Sequence, residues 1–232
     1  MEWFNTWAAD IASTFEKCFI RENRYKLLLN GIGVTIKVAL LAVILGVLIG
    51  FIIALCNLSK SKLLRFFGGI YTDVIRGTPS VTQLMIIYFV IFATVNLDKW
   101  IIAAIAFSIN SGAYVSEIFR AGILSIDKGQ TEAGRSLGLS AYQTMTRIVL
   151  PQALKNIFPT LCNEFIVLIK ETAIVGYVGL MDIQKAGDFI KSATFEAFMP
   201  LIATAIIYYV LIKLLTLALG RIEKKLRASD IR

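Results

Sequence analysis

The sequence predicts an all-α integral membrane protein with five transmembrane helices, its amino terminus outside the cell and its carboxyl terminus in the cytoplasm. The first observation is composition: 57% of the 232 residues are hydrophobic and 17% are charged, with a mean hydropathy of +0.72. A soluble domain is typically about 45–50% apolar and about 25% charged. The other two observations are five long, mainly apolar stretches and an uneven distribution of basic residues between them.

Five stretches are long enough to cross a bilayer, whose core of about 30 Å needs roughly 20 mainly apolar helical residues. They cover about residues 29–56, 66–92, 100–126, 153–180 and 198–220. The fourth is the most polar, and the fifth contains a single charged residue, Lys213. The alternating pattern of membrane barrel strands is absent, so these segments are predicted to be helices.

The orientation follows from the basic residues that flank the spans. The side with the amino terminus and the loops after spans two and four carries seven Lys/Arg against eight Asp/Glu. The other side carries twelve Lys/Arg against four Asp/Glu, and an excess of basic residues marks the cytoplasmic side. This distribution accounts for the basic isoelectric point without a nucleic-acid partner, because aromatic residues are not interleaved with the basic ones.

Residues 1–28 form a separate amino-terminal segment, too charged for the apolar core of a signal peptide. Large apolar residues recur there every four positions and mark one helix face: Trp3, Trp7, Ile11, Phe15 and Phe19. Such a face suits an amphipathic helix in the outer membrane interface, and a helix packed on the bundle fits equally well. Residues 29–220 are predicted to form the transmembrane domain, and residues 221–232 a basic cytoplasmic tail.

The sequence contains no recognisable catalytic or metal-binding cluster. It has no histidine, and its three cysteines form no C-x-x-C motif, so neither a metal site nor a disulfide framework is indicated. Residues 129–136 approach the phosphate-loop pattern, but Arg135 stands where lysine belongs and the preceding stretch reads as a membrane helix rather than a strand. We interpret this as a chance match and expect a chain that is not an enzyme.

The same loop carries a more specific pattern. Glu132-Ala133-Gly134, Gly138 and Ile148-x-Leu150-Pro151 resemble the E-A-A-x₃-G-x₉-I-x-L-P signature of permease subunits of ABC importers, with Gly134 in place of the second alanine. Further groups resemble the branch for polar amino acids (the histidine, glutamine and arginine type) and occur in order over residues of about 29–220. They are Arg76-Gly77-Thr78-Pro79 with Gln83-Leu84, Ala113-Tyr114, Glu117, Arg120-Ala121-Gly122-Ile123, Gly129-Gln130, Asn163-Glu164-Phe165 and Lys170-Glu171-Thr172.

The resemblance implies a type I ABC importer permease fold in a bacterial cell membrane, where the chain forms the translocation pathway for a polar amino acid. It implies as partners two cytoplasmic ATPase subunits, a second identical or related permease subunit and an extracytoplasmic substrate-binding protein. ATP and magnesium would bind the ATPase, so no cofactor is expected on this chain. Membrane lipid surrounds it, and nucleic acid is not a partner.

The cytoplasmic loop at about residues 127–152 is predicted to couple the permease to the ATPase. Residues 132–139 are compatible with a short helix, with Thr131 as its cap and with Gly134 and Gly138 on one flat face. Pro151 would set where the next helix begins. By resemblance, the coupling residues are Glu132, Ala133, Gly134, Ser136, Leu137, Gly138, Leu139 and Pro151. An ordinary amphipathic loop helix is the alternative.

Polar residues within the spans are candidates for the substrate pathway, because ionisable groups in a membrane are costly. The candidates are Arg76, Thr78, Asn110, Ser111, Tyr114, Glu164 and Glu171. Glu164 and Glu171 are two helical turns apart on one face and could accept an ammonium group, while Arg76 could bind a carboxylate. Structural pairing is an equally good interpretation of the two glutamates, and i, i+3 pairing favours a structural role for Glu117 with Arg120.

Two other classes of protein compete with an ABC permease. A self-sufficient secondary carrier usually has internal repeats with interrupted spans at matching positions, and no repeat is seen in five spans. A membrane enzyme would need a catalytic cluster, and the sequence offers neither a histidine nor a metal-binding cluster. Association with an ATPase distinguishes the first class from the other two.

Overall fold

The structure is a computed structural model that describes residues 2–227, and these residues form helices and turns without a strand. The α-helices are α1 (Glu2–Phe15), α2 (Tyr25–Leu58), α3 (Lys62–Arg76), α4 (Ser80–Ile86), α5 (Lys99–Leu124), α6 (Lys128–Ser136), α7 (Ala141–Thr144), α8 (Leu150–Glu171), α9 (Ile183–Thr194) and α10 (Phe198–Arg227). Wider π turns cover Glu16–Ile20, Ile87–Ile91 and Met145–Val149, and 3₁₀ turns cover Arg21–Asn23 and Thr172–Val178. The all-α prediction is confirmed.

Three helices, α2, α5 and α10, are long and apolar enough to cross a membrane. A bent pair, Lys62–Arg76 with Ser80–Ile91, makes a fourth candidate if it counts as one broken span. Helix α8 has 22 residues, which is long enough, but its four charged residues leave it too polar to qualify by composition. The count of five spans and the orientation of the termini therefore stay predictions.

The second predicted span is not one continuous helix in the structure. Helix α3 ends at Arg76, and the two helices of the pair meet at an angle of 105°. The cause lies in Pro79, which has no backbone N–H and disfavours a helical conformation at the residue before it. Pro79 has an extended ψ of 136° and serves as the N-cap of α4.

Helix α5 lies at the centre of the bundle, and most of its contacts are with α2. Small residues let the two backbones approach closely: a Cβ on Gly50 would come within 2.6 Å of Val115 Cβ, and one on Gly112 within 2.7 Å of Ile49 Cγ2. Close packing through small residues is how membrane helices associate without a hydrophobic driving force between them. The bundle therefore holds α5 as a fixed wall for the residues that project from its other face.

A buried aspartate ties α9 to α10 at the end of the bundle that the charge distribution assigns to the outside. The Asp182 carboxylate accepts hydrogen bonds from the backbone N–H groups of Gln184 at 3.2 Å and Lys185 at 2.9 Å, and from the Tyr208 hydroxyl at 3.0 Å. Burial raises the pKa of the Asp182 carboxyl, and these hydrogen bonds oppose the shift. Asp182 thus caps α9 and joins it to α10 at once.

The amino-terminal segment combines features of both interpretations of residues 1–28. Trp3, Ile11 and Phe15 are exposed on α1, while Cys18 and Phe19 are buried against α9. An ion pair of 2.9 Å between Lys17 and Glu196 adds to this attachment. Helix α2 begins at Tyr25, and α10 extends beyond residue 220 to Arg227, so the predicted domain boundaries at 28 and 221 stay predictions. Residues 228–232 of the predicted tail lie outside the described residues.

Candidate functional site

A cavity of 520 Å³ lies between α5 and α8, with one wall contributed by the end of α3. It is lined by Arg76, Tyr114, Glu117, Ile118, Ala121, Gly122, Ser125, Asn156, Thr160 and Glu164. Three of the predicted pathway residues, Arg76, Tyr114 and Glu164, are therefore brought together. Charges of both signs meet in one space whose other lining residues are a mixture of polar and apolar side chains.

Helix α8 presents a polar stripe to this cavity. Asn156, Thr160 and Glu164 are four residues apart, so they lie on the same face of the helix. Hydrogen bonds tie the stripe to α5 at both ends, from Asn156 Nδ2 to Ser125 Oγ at 3.0 Å and from Ser111 Oγ to Glu164 Oε1 at 3.0 Å. Sequence reasoning missed Asn156 and Thr160, although their spacing relative to Glu164 was a readable signal.

The Arg76 side chain lines the cavity, and its guanidinium makes no hydrogen bond with the described residues. Glu117 is held by Arg120, which donates from Nε at 3.0 Å and from Nη2 at 2.7 Å, so the i, i+3 pair expected from the sequence is present. Arg76 Nη1 lies 3.9 Å from Glu117 Oε2, too far for a hydrogen bond. Its guanidinium carbon lies 5.5 Å from the centroid of the Tyr114 ring, within the range of a cation–π contact.

The other predicted pathway residues do not line this cavity. Thr78 and Asn110 are bound to Gln83 at the break between α3 and α4. Ser111 is buried behind the cavity and reaches it only through its hydrogen bond to Glu164. Glu171 is the last residue of α8 and is half-buried beyond the cavity.

The cavity ends beside the loop that was predicted to couple the chain to an ATPase. Ser125 and Asn156 lie at the ends of α5 and α8 from which the loop begins and to which it returns. Gln152 Nε2 donates to Gln130 Oε1 at 3.2 Å and so links the start of α8 to α6. Beside the cavity, α6 is therefore hydrogen-bonded to the start of α8, and α8 to the end of α5.

The helix in this loop is shifted relative to the prediction of residues 132–139. Helix α6 covers Lys128–Ser136, and its N-cap is Asp127, whose Oδ1 accepts from Gly129 N at 2.6 Å; Thr131 as the cap is wrong. The aspartate four residues earlier supplied the acceptor that a helix start needs. Glu132, Ala133 and Ser136 are exposed on this helix.

Gly134 and Gly138 do not share a flat helical face, so that expectation is wrong. Gly138 lies beyond the end of α6 with φ +82°, in the left-handed region. The hydrogen bonds from Gly138 N to Arg135 O at 3.0 Å and from Leu139 N to Gly134 O at 3.1 Å form a Schellman motif. Gly134 is buried, and a Cβ there would come within 2.7 Å of Thr144 Cγ2. One glycine ends the helix and the other packs it on α7.

The exposed side of this loop is apolar at its most prominent points. Leu137 is 80% exposed just after α6, and Tyr142 is 77% exposed on α7. Ser140 starts α7 with a capping box, its Oγ accepting from Gln143 N at 3.2 Å. Leu139 is partly buried. The helices on both sides of Gly138 therefore present a rigid pair of apolar side chains away from the bundle.

Pro151 is exposed as the second residue of α8, but it does not set where the helical chain begins. The chain before it is already helical, because the π turn Met145–Val149 leads directly into α8. This wider turn ends just before the proline, which has no N–H, and Leu150 N–H donates to Met145 O in it.

The stretch that approaches a phosphate loop has a different structure. It follows helix α5 instead of a strand, and Arg135 Nη1 donates to Leu139 O at 2.7 Å, which commits the side chain to the end of its own loop. A phosphate loop needs a strand, a glycine-rich turn and a basic side chain aimed at the phosphates.

Substitutions at Gly138 test whether the left-handed turn matters. Gly138→Val is expected to lower ATP-driven uptake more than Gly138→Asn, because a β-branched residue costs roughly 1–2 kcal/mol in the left-handed region, while asparagine adopts it routinely. A Cβ at this position meets no atom within 4 Å, so steric collision within the chain does not contribute. Measurement of uptake together with the amount of assembled complex checks this prediction.

Gly138→Trp is expected to uncouple ATP hydrolysis from uptake, because its side chain would obstruct the face of the loop that the resemblance assigns to the ATPase. Unimpaired uptake in the tryptophan variant would refute the docking role.

The chain is similar to known membrane transport proteins. The family model described as binding-protein-dependent transport system inner membrane component matches residues 46–228. The putative glutamine transport system permease protein of Rickettsia bellii is 45% identical over 204 residues, 87% of this chain and 94% of that protein. The arginine transport system permease protein of Bacillus subtilis is 42% identical over 205 residues, 88% of this chain and 94% of that protein.

A solved structure shares the fold. The crystal structure of an amino acid ABC transporter with histidines contains a chain that superposes with a TM-score of 0.81 at 41% identity, covering 89% of this chain and 98% of that one. The resemblance to permease subunits of ABC importers is thereby confirmed. With the family model matching most of its length, the chain belongs to the family of inner membrane components of binding-protein-dependent transport systems.

Proposed function

We propose that this chain is the permease subunit of an ATP-driven importer and forms part of the translocation pathway for a polar amino acid. Relatives named as glutamine and arginine permeases support an amino-acid substrate. As a family member of this kind, it would lie in the bacterial cell membrane as a multi-pass protein. Its role is conduction, and catalysis belongs to a partner.

The observation that carries the proposal is the cavity that brings Arg76 and Glu164 together. A zwitterionic amino acid offers a carboxylate, which suits the planar guanidinium of Arg76, and an ammonium group, which suits the carboxylate of Glu164. The volume of 520 Å³ falls within the range of about 300–1,000 Å³ that small-molecule sites occupy. Asn156 and Thr160 add hydrogen-bonding groups along the same wall.

The open side of the cavity supports pairing with a second permease subunit. The Arg76 side chain is 45% exposed, and Tyr114 also remains partly open on the face of a single chain. A closed pathway needs a second wall, which an identical or related subunit supplies by apposing the same face. An extracytoplasmic binding protein would then deliver the amino acid to the outer end of the pair.

The exposed loop between α5 and α8 is the proposed docking surface for the ATPase. Leu137 and Tyr142 project from it. The hydrogen bonds from Gln152 of α8 to Gln130 of α6, and from Asn156 of α8 to Ser125 at the end of α5, provide a route from that surface to the cavity. ATP and magnesium would bind two partner subunits, and this chain needs no cofactor of its own. The proposed coupling residues are those of the predicted set, from Glu132 to Leu139, with Pro151 at the return to α8.

Co-expression of the chain with its ATPase and binding-protein partners tests the proposal. The purified complex in proteoliposomes is expected to hydrolyse ATP faster with one or a few of the twenty amino acids. Stimulation by none of them would contradict the proposed substrate class. Ion-coupled uptake by the chain alone would instead identify a secondary carrier.

The two glutamates of α8 are expected to differ in importance. Glu164→Gln should raise the amino-acid concentration for half-maximal uptake more than Glu171→Gln, because only Glu164 lines the cavity. Loss of a hydrogen bond to a charged group costs about 1.5–3 kcal/mol, roughly tenfold to a hundredfold in affinity. Glu171→Gln is expected to weaken uptake more than it weakens assembly. Its effect on uptake is expected to be smaller than the effect of Glu164→Gln. Kinetics of both variants at matched expression decide the order, and an equal or reversed order would contradict the assignment.

A further inference from the structure

The break between α3 and α4 leaves the end of α3 with carbonyl groups that a continuous helix would satisfy. Gly77 N still bonds to Asp73 O at 2.9 Å, which is the last regular step of the helix. The next carbonyl, Val74 O, accepts from the Thr78 hydroxyl at 2.9 Å. The carbonyl after that, Ile75 O, would normally accept from residue 79, which is proline and has no N–H.

A glutamine side chain supplies the missing donor. Gln83 is buried, and its Nε2 donates to Ile75 O at 2.7 Å and to Thr78 Oγ1 at 2.6 Å, with Thr78 O a further 3.1 Å contact. Gln83 N in turn donates to Pro79 O at 3.1 Å, in the first turn of α4. One residue therefore closes the end of α3 and begins the hydrogen bonding of α4. An unsatisfied buried carbonyl would otherwise cost about 1–3 kcal/mol.

The opposite end of the same amide fixes the break to the centre of the bundle. Gln83 Oε1 accepts from Asn110 Nδ2 at 2.8 Å, and Asn110 is buried in α5. The amide orientation follows from the network, because the carbonyl groups around Nε2 can only accept. Arg76 is adjacent to Ile75, the residue whose carbonyl Gln83 holds, and Tyr114 lies one helical turn from Asn110 on α5.

We infer that Gln83 is a positioning residue for substrate recognition. It replaces the donor that Pro79 lacks and anchors the break to α5, so that the Arg76 guanidinium is held over the Tyr114 ring and inside the cavity. Gln83 is not among the residues that line the cavity. This role rests on the proposed function, in which Arg76 binds the amino-acid carboxylate.

Two variants separate this role from general stability. Gln83→Leu removes every hydrogen bond of the side chain. Gln83→Glu keeps the size and the acceptor for Asn110 but removes the Nε2 donor that serves Ile75 O. The matched control is Thr82→Val, an exposed polar-to-apolar change of similar shape one position earlier on α4.

Amino-acid-stimulated ATP hydrolysis by the assembled complex is measured for each variant over a range of amino-acid concentrations. Gln83→Leu is expected to raise KM about tenfold with little change in kcat, as loss of a charge-assisted contact to the substrate predicts. Gln83→Glu is expected to show the same rise at alkaline pH and a return toward the wild-type KM at mildly acidic pH. A protonated carboxyl offers one O–H donor to Ile75 O, and leucine cannot gain one. Thr82→Val is expected to match the wild type throughout.

The outcomes distinguish this inference from the proposed function. A wild-type complex that no amino acid stimulates would overturn the proposed function itself. A stimulated wild type with unchanged KM in both Gln83 variants would overturn only the positioning role. If Gln83→Leu fails to assemble, the pH dependence of Gln83→Glu decides alone: recovery at acidic pH relative to the wild type supports the donor role, and its absence contradicts it.

Discussion

Exchange of Leu137 for aspartate is expected to abolish ATP-driven uptake while leaving the chain folded in the membrane. The Leu137 side chain is 80% exposed, so a charge there disturbs no core. Burying a leucine side chain at an interface contributes about 1.5–3 kcal/mol. An aspartate in its place also has to be desolvated without a partner, which increases the loss. Docking of the ATPase should weaken by at least tenfold.

The matched control is Leu137→Met, which preserves an apolar side chain of similar volume and should retain uptake. Co-purification of the ATPase and uptake are measured together for both variants. The account requires the aspartate variant to lose ATPase and uptake in parallel. Retention of a bound ATPase with full uptake would remove Leu137 from the docking surface.

Exchange of Arg76 for alanine is expected to give the largest effect within the cavity. The guanidinium lies there without a hydrogen bond among the described residues, since Glu117 is engaged by Arg120 and the Arg76–Glu117 separation is 3.9 Å. A substrate carboxylate can take that capacity in a bidentate contact. Loss of such a contact costs about 1.5–3 kcal/mol, so KM should rise roughly tenfold to a hundredfold.

Arg76→Lys serves as the graded control, because lysine keeps the charge but cannot form the planar two-point contact. It should fall between the wild type and Arg76→Ala in KM. Concentration-dependent uptake at matched expression provides the measurement. Equal KM values in all three proteins would show that the carboxylate is bound elsewhere.

Much of the fold could be predicted because lipid restricts the choices. Long uncharged stretches such as that in α2 have to be helices in a bilayer, and no tertiary information is needed to see it. The same reasoning was weakest for α8, whose polar stripe of Asn156, Thr160 and Glu164 lowers its apolar character because it faces a cavity. The polar residues that make this span hard to recognise are the ones that line the cavity.

The details of the loop and the helix break could not be predicted for a common reason. Helix propensity across residues 132–139 does not reveal that Gly138 adopts φ +82°, since glycine is compatible with both conformations. Pro79 indicates a disturbed helix, but the sequence reveals neither the 105° angle nor the hydrogen bond between Gln83 and Asn110, which are 27 residues apart. Thr78 and Asn110, which are predicted to lie on the pathway, are hydrogen-bonded to Gln83 at the break.

Uptake of a labelled amino acid into proteoliposomes tests the central claim most directly, with the chain reconstituted either alone or together with its ATPase and binding-protein partners. The complete assembly is expected to accumulate the amino acid only when ATP is supplied on the side of the α6 loop. The chain alone is expected neither to transport the amino acid nor to hydrolyse ATP. Accumulation by the chain alone, or ATP cleavage by it, would contradict a permease that takes its driving force from a partner.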